Sequence, residues 1–217
     1  MDKKKKATKT LLWRDSFDGG TGGTIHRSFW RVHDGHWGRT LQLGVLMSIV
    51  EKARLTAISE HEGQTYGDKP YSYHLEQVAE IAKQWGPHAE AAAWLHDVLE
   101  DTEMVEEELQ RDFPPPIPTI INLLTDADIP NRKLRKKITY EKLSVLCAEG
   151  PEGLALLVKL ADRLANVRQC VESENWGLLS IYRKEQKAFR EAVYRTNQPE
   201  NLWSELEKLL KRGRKRR

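Results

Sequence analysis

Long hydrophobic runs are missing from this sequence. The longest candidate, Leu41 to Val50, stops well short of the ~20 apolar residues that a membrane span needs, and no membrane association is expected. Cysteine is scarce: Cys147 and Cys170 are the only two. They could pair in principle, but nothing else points to an oxidising compartment, so two reduced thiols in a cytoplasmic protein are expected. The Lys-rich start has neither the apolar stretch nor the small-residue cleavage site of a secretory signal. The glycine cluster Asp18-Gly-Gly-Thr-Gly-Gly-Thr24 is no phosphate loop, because no strand precedes it and no Gly-Lys-Ser/Thr follows. Alternating strand patterns of useful length and internal repeats are absent too. What remains is a chain of 217 residues, 39% hydrophobic and 31% charged, enough for one domain with a substantial core and unlike a disordered chain.

The net charge of +3 hides an asymmetry. Residues 1–10 carry +4 and residues 211–217 carry +6, which leaves −7 for the body between them. A protein that binds nucleic acid along its folded surface would look different, so nucleic acid is not expected as a partner except through the basic ends. Residues 1–40, with Trp13, Trp30 and Trp37 at no clean period, read as an irregular extension. Residues 211–217 read as a basic tail.

From Leu41 the pattern becomes helical. Leu43, Leu46, Met47, Val50, Ala53, Arg54 and Ala57 recur at steps of three and four, the spacing of one buried helix face. Gly63 to Tyr71, with Gly67, Asp68 and Pro70, predicts a loop. Helices are then expected over about Ser72–Trp85, stopped by Gly86-Pro87, and over Ala89–Asp101, which is Ala-rich. Pro114-Pro-Pro116 interrupts the chain before a short helix over Thr119–Leu124. A polar loop over Thr125–Arg132 follows, then helices to about Ala148, over Pro151–Cys170, near 178–196 and over 199–211. The fold class is all-α, a multi-helix bundle over residues 41–210.

Chemistry concentrates in Trp94-Leu-His-Asp-Val-Leu-Glu-Asp-Thr102. On a helix, His96, Asp97, Glu100 and Asp101 form two adjacent pairs one turn apart, among Ala91, Ala92, Ala93, Leu95 and Leu99. Ionisable groups on a buried helix are costly unless paired or bound to metal. A lone His-Asp dipeptide is ordinarily a hydrogen-bonded pair or an exposed polar face. Here His74 sits at the start of the preceding helix, an antiparallel neighbour. Asp162 interrupts the apolar register of Val158-Lys-Leu-Ala-Asp-Arg-Leu-Ala-Asn-Val-Arg168. Two imidazoles and two carboxylates make a mixed N/O set suited to Mn²⁺, Fe²⁺ or Zn²⁺.

Tyr71-Ser-Tyr-His74, His96-Asp97, Glu100-Asp101 and Lys159-Leu-Ala-Asp-Arg-Leu-Ala-Asn166 resemble, in order and approximate spacing, the motifs of the HD superfamily of metal-dependent phosphohydrolases. More narrowly they resemble the hydrolase domain of RelA/SpoT-type enzymes and small alarmone hydrolases, over roughly residues 45 to 175. The resemblance implies a helical HD-type bundle holding one Mn²⁺ on His74, His96, Asp97 and Asp162, with Fe²⁺, Zn²⁺ and Mg²⁺ as alternatives. It implies Glu100 and Asp101 as the catalytic acidic pair beside the attacking water, and a nucleotide substrate from which 3′-pyrophosphate is removed, (p)ppGpp or a related alarmone. Other readings are an HD-type nucleotidase or cyclic-nucleotide phosphodiesterase, or a non-catalytic nucleotide-binding regulator.

Substrate contacts are expected from Arg163 and Asn166, at family positions that support or contact the nucleotide, and from Tyr71 and nearby Lys69. A salt bridge is the alternative role for Arg163. Where family hydrolases of (p)ppGpp commonly carry Arg-Lys-Ser-Gly ahead of Pro-Tyr, this chain has Thr65-Tyr-Gly-Asp68, and Gln169 stands where Thr is usual. The run Asn131-Arg-Lys-Leu-Arg-Lys-Lys137 offers compensation: Arg132 and Arg135 share a helix face and could clamp a di- or triphosphate, unless the run is simply a solvated basic face. Tyr140 is placed either to stack on a base or to pack.

Overall fold

The computed structural model describes residues 47–213. The expected N-terminal extension and the last four residues of the basic tail lie outside them. Among the described residues the order is α1 (Ile49–Glu60), β1 (Thr65–Tyr66), β2 (Lys69–Pro70), α2 (Tyr71–Ala82), α3 (Pro87–Leu95), α4 (Val98–Asp101), α5 (Glu106–Asp112), α6 (Ile117–Leu124), α7 (Arg132–Ser144), α8 (Gly150–Glu172), α9 (Trp176–Val193) and α10 (Glu200–Leu210). A 3₁₀ turn, Lys83–Trp85, extends α2 to the Gly86-Pro87 stop. No described helix is long and apolar enough to cross a membrane, and both cysteines are free thiols.

Local signals set most of the boundaries. Ser48 is extended and accepts the Glu51 N–H, so α1 starts one residue later and Met47 lies exposed before it, outside the helix projected from Leu41. Asn131 and Asn175 cap α7 and α9 in the same way. The expected loop at 63–71 contains a small antiparallel hairpin, Tyr66 paired with Lys69, and Gly67 at φ +66 takes the first turn position that favours glycine. Helix α5 was not anticipated. Its sequence is polar apart from Leu109, the residue it buries completely.

Helix α8 is the spine of the bundle. It packs against α2, α3, α6, α9 and α10, and Ala155, Leu156, Val158, Leu160, Ala161, Leu164 and Val167 are all fully buried. A helix enclosed on so many sides must be apolar nearly all round. That makes Lys159, Asp162 and Arg163 on α8 conspicuous. Trp203 of α10 is fully buried against Phe189 of α9 and Tyr194 just after it, and its indole N–H donates to Gln198 Oε1 at 2.9 Å.

Candidate metal centre and active site

Three helical segments converge on one point. His74 lies in the first turn of α2, Asp162 in the middle of α8, and His96-Asp97 between α3 and α4. The single helix expected over 89–101 is therefore broken at the functional dipeptide. The reason is local: His96 Nδ1 donates at 2.8 Å to Ala93 O, the carbonyl that an uninterrupted helix would give to the Asp97 N–H. A carbonyl only accepts, so Nδ1 carries a proton, and Nε2 is the ring nitrogen that faces the cluster.

His74 Nε2 and His96 Nε2 are 3.3 Å apart. Asp162 Oδ1 lies 3.5 Å from the first and 3.8 Å from the second. Asp97 Oδ2 lies 3.0 Å from His96 Nε2 and 3.7 Å from His74 Nε2. One ligand atom each from His74, His96 and Asp162 fall within 4.8 Å of one another; Asp97 joins them through its contacts to both imidazoles. For ligand bonds of about 2.0–2.2 Å, donors around one cation stand roughly 3.0–3.6 Å apart. Three of the five spacings fall in that range and two, 3.7 and 3.8 Å, lie just beyond it, and two imidazoles with two carboxylates are a fitting donor set for a divalent transition metal.

Electrostatics agree with the geometry. Burial pushes Asp97 and Asp162 toward the neutral acid, but the histidines beside both, and Lys159 beside Asp162, outweigh it and hold each well below the usual carboxylate range. For His96 burial acts against charge, yet Asp97 and Asp162 carry its pKa up to about 9. Without a cation the cluster balances its carboxylates with protons, which a bound metal displaces.

A ring of polar side chains fixes the donors. The Tyr71 hydroxyl reaches Asp97 Oδ2 at 2.7 Å and Asp101 Oδ2 at 3.0 Å, while its ring stacks on His61 at 4.6 Å. Tyr66 lays its ring on His74 at 4.8 Å and donates to Asn166 Oδ1 at 2.8 Å. Asn166 in turn donates to Asp162 Oδ1. Tyr71 and Asn166, expected among the substrate contacts, are thus engaged in orienting Asp97 and Asp162.

The donors open into a recess of about 140 Å³ lined by Glu100, Asp101, Arg132, Tyr140 and Arg163 among others. Glu100 and Asp101 are exposed along their length, but the Glu100 carboxyl turns inward, where Oε1 accepts the Asp126 N–H at 2.7 Å. Partial burial, the largest influence, raises its pKa above the ordinary value.

The basic residues need correcting. Arg132 forms a two-point pair with Glu185 at 2.9 and 3.2 Å, and Arg135 leans on Asp126 at 3.7 Å. The two arginines form no common clamp, because partners on different segments draw them apart. Lys69 faces Glu172 at 3.6 Å and covers the Tyr73 ring, away from the recess. Arg163 takes the salt-bridge alternative: it lies 3.2 Å from Glu185, donates to the Tyr140 hydroxyl at 2.7 Å and sits over the Tyr182 and Phe189 rings. Tyr140 packs edge-on against Phe189. Tyr66, Lys136, Lys159, Tyr182 and Phe189 also line the recess, beyond the residues the sequence points to. Lys159 was within reach of sequence reasoning, since it stands three before Asp162 and interrupts the same apolar register. Tyr182 had no such signal.

No family model matches the chain. A GTP pyrophosphokinase rsh of Brucella melitensis is 34% identical over 125 residues, 56% of this chain and 17% of the relative. A guanosine-3′,5′-bis(diphosphate) 3′-pyrophosphohydrolase of Haemophilus influenzae is 34% identical over 118 residues, 52% of this chain and 17% of the relative. RelA/SpoT-type proteins are its relatives. A GTP pyrophosphokinase of Streptomyces coelicolor, 36% identical over 124 residues, is matched over 55% of this chain and 14% of its own length. The chain thus spans a small part of these RelA/SpoT-type relatives. Among solved structures, a metazoan ortholog of SpoT described as hydrolysing ppGpp and acting in starvation responses superposes with a TM-score of 0.60 at 22% identity. The match covers 76% of this chain and 96% of that one. The fold is the helical HD-domain fold.

Proposed function

We propose that the chain is a metal-dependent phosphohydrolase that removes the 3′-pyrophosphate from (p)ppGpp or a closely related alarmone. The reading rests on one observation, the meeting of His74, His96 and Asp162 within 4.8 Å with Asp97 against both imidazoles. It is supported by the hydrolase name of the Haemophilus relative and by the activity described for the SpoT ortholog. His74, His96, Asp97 and Asp162 would hold one divalent cation, Mn²⁺ in this reading. Such an ion, when bound, makes a hydroxide nucleophile available near neutral pH and offsets charge on the phosphoryl group.

The chain's own residues do the rest. Glu100, its carboxyl held by the Asp126 N–H and its pKa raised by burial, accepts a proton from the attacking water and returns it to the departing 3′-oxygen. Asp101, tied to Asp97 through the Tyr71 hydroxyl, orients that water. The bond between the 3′-oxygen and phosphorus breaks, leaving GDP or GTP and pyrophosphate. Arg132 and Arg163, bound to Glu185, form a fixed wall on the substrate side rather than a mobile clamp.

The test is release of pyrophosphate by Mn²⁺-loaded protein from ppGpp, pppGpp and ppApp, with dNTPs and cyclic nucleotides as comparators. Alarmone turnover that chelation abolishes and Mn²⁺ restores is expected. Asp97→Ala should lose it, with little change in melting temperature. Absence of turnover on every alarmone refutes the substrate assignment. One observation favours a second reading, an HD-type nucleotidase or cyclic-nucleotide phosphodiesterase: Lys69, the hairpin's cation, faces Glu172 and not the recess. Turnover peaking on 5′-monophosphates or cyclic nucleotides would select it.

A further inference from the structure

The cations around the recess differ in whether a carboxylate stands within hydrogen-bond reach. Arg132 is committed to Glu185 through two nitrogens. Arg163 is held by Glu185, the Tyr140 hydroxyl and two aromatic faces. Lys136 is bound to Asp126 at 2.6 Å. Lys159 stands apart. It is only 6% exposed, yet among the described residues its ammonium makes a single hydrogen bond, a long one of 3.3 Å to Leu124 O. Among the described residues the carboxylate nearest to it, Asp162 Oδ2, is 3.9 Å away, beyond hydrogen-bond reach.

An ammonium has three N–H donors, and burying them unused is costly. Lys159 lines the recess beside Glu100, Asp97 and Asp162. Three residues before Asp162 on α8, it shares that residue's face. These carboxylates by themselves repel an anion, so a phosphate drawn into the recess needs a positive partner besides the metal. We propose that Lys159 is a substrate-contacting residue whose spare N–H donors bind the anionic oxygens of the phosphoryl group under attack. This rests on the phosphohydrolase reading above. The alternative role is that of a counter-ion that only keeps the carboxylates together.

The two roles separate in a binding experiment that requires no turnover. Mn²⁺-loaded protein, freed of excess metal, is titrated calorimetrically with inorganic phosphate, in wild type, Lys159→Met and Lys159→Arg. Manganese stoichiometry and melting temperature are measured alongside, and kcat and KM are measured on ppGpp. The expected result for Lys159→Met is one Mn²⁺ per chain as in wild type, phosphate binding at least tenfold weaker, and a fall in kcat. Lys159→Arg should recover part of the phosphate binding. Wild-type-like phosphate affinity in Lys159→Met overturns the proposal. So does loss of phosphate binding accompanied by loss of manganese, or undetectable phosphate binding by wild type. If the Met variant does not fold, Lys159→Gln is judged by the same criteria. Phosphate binding that depends on Lys159, in a protein that turns over no alarmone, would refute the substrate assignment and leave this inference standing.

Discussion

The Tyr71→Phe substitution isolates one atom of the site. The Tyr71 ring stacks on His61 at 4.6 Å with an interplanar angle of 12°, and Phe preserves that contact. What disappears is the hydroxyl, 2.7 Å from Asp97 Oδ2 and 3.0 Å from Asp101 Oδ2. A hydroxyl has a single proton, so the two acceptors share it and Asp97, the nearer, takes the larger part. A hydrogen bond to a charged group contributes about 1.5–3 kcal/mol. At about 1.4 kcal/mol per tenfold change, its loss corresponds to a 10- to 100-fold weaker grip on the metal, the range typical of partners that orient metal ligands. Calorimetric titration of metal-free protein with Mn²⁺ reads this directly, and kcat/KM at limiting Mn²⁺ should fall in parallel and recover at saturating metal. Unchanged metal affinity with a raised KM would refute the reasoning, because it would mean that the hydroxyl serves the substrate and not the carboxylates.

Other consequences follow from the same geometry. Because burial raises the Glu100 pKa, the acid limb of the kcat profile at saturating metal should lie above the ordinary carboxylate value of 4.5, with activity lost as pH falls and Glu100 takes up its proton. Glu100→Gln should lower kcat by about 10²–10⁴-fold, and a limb at or below the ordinary value would exclude Glu100 as the base. Arg163→Met leaves Glu185 paired with Arg132 but strips the Tyr140 hydroxyl of its donor. A loss of about 3 kcal/mol, the low end for breaking a buried pair, is expected in urea unfolding, and a loss below about 1 kcal/mol would show that the pair is not a structural tie.

Sequence reasoning reached the site through cost. His96, Asp97 and Asp162 stand where apolar neighbours make an ionisable group expensive, and the spacing of His74 from them made a shared cation the economical explanation. The structure does bring those four residues together. The helix break between His96 and Asp97 was hidden because Ala-rich sequence favours continuity, and the interruption comes from an imidazole competing for one backbone carbonyl. The meeting of Arg132 and Arg163 on one carboxylate was out of reach for another reason: their common partner, Glu185, lies on α9, 53 residues beyond Arg132, and no local pattern reports such a contact. Helix α5 escaped because Leu109 is its sole fully buried side chain, too few for periodicity to register. Lys69 shows the same limit, since proximity in sequence to Tyr71 said nothing about Glu172.

Helix α7 has a place in the molecule unlike that of the four clustered side chains. The clustered imidazoles and carboxylates come from α2, the α3–α4 junction and α8, while Arg132, Lys136 and Tyr140 reach the recess from α7, which supplies none of them. In the proposed function, one wall of the substrate recess is thereby built by a helix that takes no part in holding the cation. Exchanges along α7 reshape that wall while leaving His74, His96, Asp97 and Asp162 themselves unaltered.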